Sequence, residues 1–172
     1  MISRMAHLLL IRLRKGDPDI LCCLRADGSQ TWARIPPGMA AHDLAHYAVE
    51  TCLGFRRAFY GLLAGGTDIA DFELPREVRP EALLPGHLPQ EALQTEHIVN
   101  LVLVSLQGGL EPGQLLGQLR TILKDSGIPF PKALDREALV RIQTRLAELL
   151  ARWDQTPNKG SLELPFPFPW ED

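Results

Sequence analysis

The fold is decided by residues 7–35, HLLLIRLRKGDPDILCCLRADGSQTWARI. Two clusters of turn-forming residues divide this stretch into three segments rich in apolar side chains: 7–14, 20–25 and 30–35. The second cluster contains Asp27-Gly28, a pair that favours the backbone angles of a tight hairpin turn. The spacing therefore predicts a three-stranded antiparallel meander near the start of the chain.

The chain between this stretch and residue 155 has helical periodicity, because apolar residues recur every three or four positions. Glycine or proline ends most of the periodic stretches, and Asp135 is placed to cap the last one. The predicted helices cover residues 41–53, 55–64, 90–107, 112–126 and a long final stretch after Asp135. The sequence therefore predicts an α+β fold, in which the N-terminal three-stranded antiparallel meander packs against a bundle of four to five helices.

The C-terminal segment departs from this pattern, since proline alternates with large apolar residues from Leu164 to Trp170. Proline lacks an amide donor and restricts the residue before it, so this segment is expected to be extended. We therefore divide the chain into a single α+β domain, residues 1–155, and an extended tail, residues 156–172. The aromatic side chains of the tail are predicted to pack on their own domain, on a neighbouring subunit or in the groove of a protein partner: Phe166, Phe168 and Trp170.

The composition is that of an ordinary globular chain and excludes two classes of protein. Of the 172 residues, 45% are hydrophobic, which is too many for an intrinsically disordered chain. There are 18 basic and 21 acidic side chains, and the formal charge is −3. Without a basic excess the chain has no general attraction for phosphates, so a nucleic-acid partner is not expected.

The apolar runs of the sequence are too short for export or for a membrane span. Residues 8–11 form the longest apolar run near the N-terminus, which is shorter than the core of a secretory signal. The run 98–106 is interrupted by Asn100 and Ser105 and falls short of the roughly 20 residues that a bilayer span needs. The cysteines are odd in number and lack paired spacing: Cys22, Cys23 and Cys52. We therefore expect a soluble cytoplasmic protein with reduced cysteines and no membrane partner.

Three polar side chains that stand four positions apart form the main chemical signal: His42, His46 and Glu50. On a helix each is displaced by about 40° from the one before, so all three lie along one strip. Two imidazoles at this spacing can bind one divalent ion, as on the His-Glu-x-x-His helix of zinc metalloproteases. Glu50 is then either a further ligand or the partner that orients an imidazole.

A second polar group, Glu96 with His97, lies at the entrance of the most apolar helix. If this helix packs against residues 41–53, Glu96 or His97 completes a site for zinc, manganese or iron with three or four ligands. The alternative needs no metal, because His46 and Glu50 can form a solvated pair on the helix surface. Glu96 and His97 would then lie in an exposed first turn. The sequence leaves both interpretations open.

The chemistry that such a metal site would support is hydrolysis by a metal-bound water molecule. The metalloprotease helix carries Glu directly after its first His, and here the shorter Asp43 takes that place, which disfavours that type of peptide hydrolysis. The doublet His42-Asp43 is also similar to the metal-binding doublet of the HD phosphohydrolases, but that family is all-helical and a meander precedes His42 here. The sequence thus predicts metal binding without a named reaction. The alternative function is protein–protein interaction or oligomerisation through the aromatic tail.

The same region carries a family resemblance. Its residues are Pro37, His42-Asp43-Leu44-x-His46-Tyr47-x-Val49-Glu50, Leu53-Gly54 and Phe59-x-Gly61-Leu62. This pattern resembles a group of bacterial proteins of no established activity, which carry a His-Asp-Leu-x-His-x-x-Val-Glu segment after an N-terminal sheet. The resemblance covers residues 35–66. It implies that the segment is a recurring unit, and it assigns no role to any residue.

Overall fold

The computed structural model of the protein describes residues 8–167. The bounds of its strands are β1 Leu8–Arg14, β2 Asp19–Leu24, β3 Gln30–Ile35 and β4 Ser161–Pro167. All neighbouring strands are antiparallel, in the order β3-β2-β1-β4. The predicted meander is therefore confirmed, and the C-terminal segment adds a fourth strand to its free edge. Residue 7 of the first predicted strand and two aromatic residues of the tail, Phe168 and Trp170, lie outside the described residues.

Side chains alternate between the two faces of the sheet, as the pleat of a strand requires. The inward face carries buried apolar side chains from all four strands, among them Leu9, Ile11 and Cys23. The outward face carries exposed side chains, such as Arg12 and Trp32. The helices therefore cover one face of the sheet, as the sequence predicts.

The α-helices comprise four long segments and two short ones among the described residues. Their bounds are α1 Met39–Leu53, α2 Phe59–Ala64, α3 Ile69–Glu73, α4 Gln90–Gly108, α5 Pro112–Asp125 and α6 Arg136–Gln155. The first long helix, α1, packs against both α4 and α6, while α5 packs against α4 and α6. Asp135 caps α6 as predicted, because its side chain accepts a hydrogen bond from the Ala138 amide at 2.7 Å. None of the helices in residues 8–167 combines the length and the apolar character that a bilayer crossing needs.

The strand β4 places the beginning of the aromatic tail in the core of its own domain. Leu162, Leu164 and Phe166 face inward and are buried, with Phe166 only 1% exposed. Pro165 fits in this strand because β4 is an edge strand, where a missing amide donor breaks no ladder bond on the open side. The Tyr47 hydroxyl donates to the Pro165 carbonyl at 2.7 Å and ties the strand to α1. Of the three packing modes considered for the tail, residues 161–167 adopt docking on the same domain.

The second predicted helix starts four residues later than the sequence suggests, at Phe59 instead of Phe55. The chain leaves α1 through Gly54, whose φ is 68°, and the Phe55 amide then donates to the Glu50 carbonyl. The next two amides, at positions 56 and 57, donate to the Glu91 carboxylate at 2.7 and 2.6 Å. These bonds hold the loop in a non-helical conformation and fix it to α4, which carries Glu91.

Candidate metal centre

His46 and Glu50, the last two residues of the strip on α1, are buried. This rules out the interpretation of these two side chains as a solvated pair. Left-handed glycines bound the helix at both ends, Gly38 with φ 82° and Gly54 with φ 68°. Within it the His46 side chain is 3% exposed and the Glu50 side chain 0%, while 27% of His42 is exposed. The strip therefore runs from the surface at His42 into the core at Glu50.

Glu96 of α4 meets the two imidazoles of this strip. Its carboxylate oxygens lie 3.2 Å from His46 Nε2 and 3.9 Å from His42 Nε2. One ligand atom from each of the three residues can be chosen so that all lie within 4.8 Å of one another. The Glu96 side chain is half-exposed and lies in the second turn of α4, not the first. Two helices therefore bring two imidazole nitrogens and one carboxylate to a common point.

Glu50 contacts the other nitrogen of the central imidazole. Its Oε1 lies 3.4 Å from His46 Nδ1, on the side away from Glu96. The same carboxylate accepts the Tyr60 amide at 3.0 Å and the Gly61 amide at 3.4 Å, both in the first turn of α2. Glu50 is therefore anchored in the core and orients His46 from behind, so that Nε2 points towards Glu96.

The loop that positions these amides requires glycine at position 61. A Cβ atom at Gly61 would lie 1.9 Å from the Arg56 carbonyl oxygen, far inside the contact distance of any side chain. The α2 backbone can therefore approach the end of the loop only with glycine at this position. This approach places the Tyr60 and Gly61 amides over the Glu50 carboxylate.

The charges in the cluster favour a protonated His46 between the carboxylates of Glu50 and Glu96. Burial alone would lower the pKa of His46, but the carboxylates of Glu50 and Glu96 outweigh it and raise the pKa to about 9. Burial raises the pKa of Glu50. Burial opposes ionisation of Glu96, yet His46 outweighs that effect and lowers its pKa. For His42, burial and then the charge of His46 lower the pKa, so this imidazole is neutral at neutral pH. The metal-free cluster thus shares a proton around His46.

The donor atoms suit a transition-metal ion. Two His nitrogens and one Glu oxygen are the protein ligands of a common type of catalytic zinc site, in which water takes the fourth position. Metal–ligand distances of about 2.0–2.1 Å put tetrahedral ligands about 3.3 Å apart. The two contacts of 3.2 and 3.9 Å use different oxygens of Glu96, and one ligand atom from each residue lies within 4.8 Å of the others, so the side chains would have to move closer together to surround one ion. The carboxylate of Glu50 behind His46 matches the partner that metal-bound histidines usually have.

The structure brings together potential ligand atoms of His42, His46 and Glu96, with Glu50 behind His46. His97, the fifth residue of the predicted set, contributes no ligand atom to this group, since it follows Glu96 on the helix and is rotated by about 100° from it. Its positive charge, when present, acts on Glu96 through space and lowers the pKa of that carboxyl.

A pocket of about 200 Å³ adjoins the cluster, and the sequence does not predict it. His42, His46 and Glu96 line it, together with Asp43 and mostly apolar side chains from the sheet, α2 and α3. Asp43 is 6% exposed, and its Oδ2 has no hydrogen-bond partner within residues 8–167. Burial raises the pKa of Asp43 to about 7, although His46 acts in the opposite direction. The sequence signal for this buried carboxyl is the position of Asp43 between His42 and His46. Helical periodicity alone indicates a surface position for Asp43.

We compared the chain with protein-family models, with curated proteins and with solved structures, and none of the three comparisons gave a match. The function is therefore argued from the geometry of this cluster and its pocket.

Proposed function

We propose that the protein binds one divalent transition-metal ion through His42, His46 and Glu96, with Glu50 as the residue that orients His46. The single observation that carries this proposal is the convergence of three ligand atoms within 4.8 Å from two different helices. Chance pairs on one helix surface are common, but here the third donor comes from a separate helix.

The charge balance supports a divalent ion in this position. A zinc, manganese or iron ion would replace the proton that His46 shares with its carboxylate partners. Two neutral imidazoles and the carboxylates of Glu50 and Glu96 would then surround two positive charges, so the cluster as a whole would be neutral. The buried carboxylate of Glu50 needs a compensating charge, which protonated His46 supplies in the metal-free protein and which the ion would supply in its place.

The reaction class that follows from this site is hydrolysis. With three protein ligands the ion keeps a coordination position for water, and it lowers the pKa of that water to about 7. The adjoining pocket of about 200 Å³ offers space for a substrate beside that position. We therefore propose a metal-assisted hydrolase acting on a small molecule.

The experiment that tests metal binding is elemental analysis and zinc titration of protein purified without a histidine tag. We expect one equivalent of zinc, lost in His46→Ala and in Glu96→Ala. The matched control is His97→Ala, which removes an imidazole next to the cluster and should keep the ion. No bound zinc, manganese or iron in the wild-type protein together with no zinc binding in the titration, or equal loss in the His97 variant, would refute the assignment.

The cellular setting is also part of the proposal. The three cysteines are all free in the structure, as expected in a reducing compartment: Cys22, Cys23 and Cys52. We infer a cytoplasmic protein of bacterial type. Association with another copy or a protein partner would then use the end of the tail beyond residue 167, because the preceding strand β4 packs within the domain.

A further inference from the structure

The pocket beside the cluster has an aromatic wall. Phe59 contacts the His46 ring at a centroid distance of 5.4 Å and the Phe72 ring at 5.3 Å. Both phenylalanines line the pocket, with apolar side chains of β2, β3 and α3 around them. An engineered apolar cavity of about 150 Å³ in another protein accommodates benzene. A space of about 200 Å³ therefore suits an apolar group the size of one aromatic ring with a small substituent.

Asp43 supplies the polar contact that such a ligand needs. Its Oδ2 is buried without a hydrogen-bond partner among the described residues, which is costly unless a ligand donates to it. The residue lines the same pocket as the two histidines of the cluster. Its main chain is held in place, because the Tyr60 hydroxyl donates to the Asp43 carbonyl at 2.9 Å. A ligand with an N–H or O–H group would satisfy the free oxygen.

The charge of the pocket wall disfavours anionic ligands in the absence of a metal, because its carboxyl groups outnumber the one protonated imidazole, His46. The wall carries three carboxyl side chains, Asp43, Glu73 and Glu96, and no lysine or arginine from the described part of the chain. A carboxylate or phosphate group would find no cationic side chain to pair with, apart from a protonated histidine. A neutral ligand with a hydrogen-bond donor fits this wall best.

We propose that the pocket binds a small, uncharged, apolar amide, whose body lies against Phe59 and Phe72 and whose N–H group donates to Asp43. The inference rests on the proposed function, since it names the substrate class of that same site: the amide carbonyl would lie on the side of the metal ligands. Asp43 is a positioning residue in this proposal. It explains why a carboxylate is kept buried directly after the first histidine.

The test compares three probes of similar size, benzamide, methyl benzoate and benzoate, by titration calorimetry and ligand-observed NMR. Metal-free protein is used first. Methyl benzoate has no N–H group and would leave the buried Asp43 oxygen without a partner, so benzamide should bind at least about tenfold more tightly than methyl benzoate. Benzoate should bind most weakly. Equal binding of benzamide and methyl benzoate, a preference for benzoate, or no binding of benzamide would overturn the inference.

Two variants show that the preference arises in this pocket. Asp43→Leu should remove the tenfold preference for benzamide, and Phe72→Trp should block the pocket and abolish binding of all three probes. Circular dichroism confirms that each variant is folded, and retention of one zinc equivalent confirms that the cluster is intact. If either folded variant binds benzamide as the wild type does, the assignment of the amide to this pocket fails.

The zinc content of the same samples distinguishes the two proposals. Zinc binding without a benzamide preference refutes the amide inference alone. A benzamide preference without zinc binding refutes the metal proposal and leaves the ligand class of the pocket in place.

Discussion

The substitution Glu50→Gln distinguishes two interpretations of the cluster: His46 as a metal ligand that Glu50 orients, and a buried polar cluster that binds no metal. If His46 binds a metal as proposed, the Glu50 carboxylate would accept the Nδ1 proton of His46 and leave the lone pair on Nε2; in the metal-free structure this nitrogen lies 3.2 Å from Glu96. Glutamine has the same shape, and its oxygen can still accept the Tyr60 and Gly61 amides. Its NH₂ group would then donate to His46 Nδ1. This favours the tautomer with its proton on Nε2, so that Nε2 cannot bind a metal.

The expected magnitude follows from the geometry around His46. Removing the hydrogen-bond partner of a metal-bound histidine typically lowers metal affinity by 10–100-fold, or about 1.4–2.7 kcal/mol. Glu50 is fully buried and water cannot replace it, so we expect a loss in the upper part of this range, roughly 30–100-fold. The free energy of unfolding of the metal-free protein should also fall, by about 1.5–3 kcal/mol for one charged hydrogen bond.

The assay is a competition titration of zinc against a chromophoric chelator, accompanied by urea unfolding in the presence of EDTA. Glu148→Gln is the matched control, because it makes the same exchange on α6 at a side chain that is 60% exposed. The control should change neither quantity. If Glu50→Gln loses stability but binds zinc as tightly as the wild type, Glu50 only anchors α2, and the argument that it orients a ligand is refuted.

Three further predictions test the surroundings of the site. In metal-free protein the pKa of His46 is about 9, so the folded state keeps a proton that the unfolded chain releases near pH 6.5. The free energy of unfolding should therefore fall by about 1 kcal/mol per pH unit between about pH 7 and 8.5. Urea unfolding at a series of pH values measures this slope, and His46→Asn should flatten it. An unfolding free energy that rises over this pH range contradicts the assignment. Gly61→Ala would bring a Cβ within 1.9 Å of the Arg56 carbonyl, and it should lower the unfolding free energy by about 2 kcal/mol or more and weaken zinc binding. Gly117→Ala, in open space on α5, should instead raise the unfolding free energy by up to about 1 kcal/mol. Equal effects of the two substitutions would show that residue 61 does not approach the Arg56 carbonyl closely. Phe166→Ala should lower the unfolding free energy by about 3–5 kcal/mol, since the side chain is buried in the core of its own domain and only 1% exposed. Sedimentation should show an unchanged oligomeric state. A changed oligomeric state with unchanged stability would favour the tail as a contact surface.

The sequence predicts the strands and long helices because their patterns are local. Asp27-Gly28 specifies a hairpin, and Asp135 specifies a helix start, through bonds that span only a few residues. For the fourth strand the sequence predicts only an extended segment, since the prolines obscure the alternation of apolar and polar side chains. Its pairing with β1 joins residues about 150 positions apart, such as Leu9 with Phe166, and no local pattern encodes that.

The candidate site divides in the same way. The four-residue spacing predicts the strip on α1. It does not predict the burial of His46 and Glu50, because a helix wheel does not show what packs on each face. The choice of Glu96 over His97 depends on the rotation of α4 about its axis, which tertiary contacts such as the Glu91 bonds to the loop determine. The pocket and the unpartnered Asp43 oxygen arise from five separate segments, so only the folded chain reveals them.

X-ray absorption spectroscopy of the zinc-loaded protein tests the central claim most directly. The fine structure reports the ligand atoms themselves, and we predict two imidazoles with oxygen ligands at about 2.0–2.1 Å. His42→Ala should remove one imidazole from the spectrum. Sulfur ligands at about 2.3 Å, or a spectrum that His42→Ala and His46→Ala leave unchanged, would place the ion elsewhere in the protein and contradict the account.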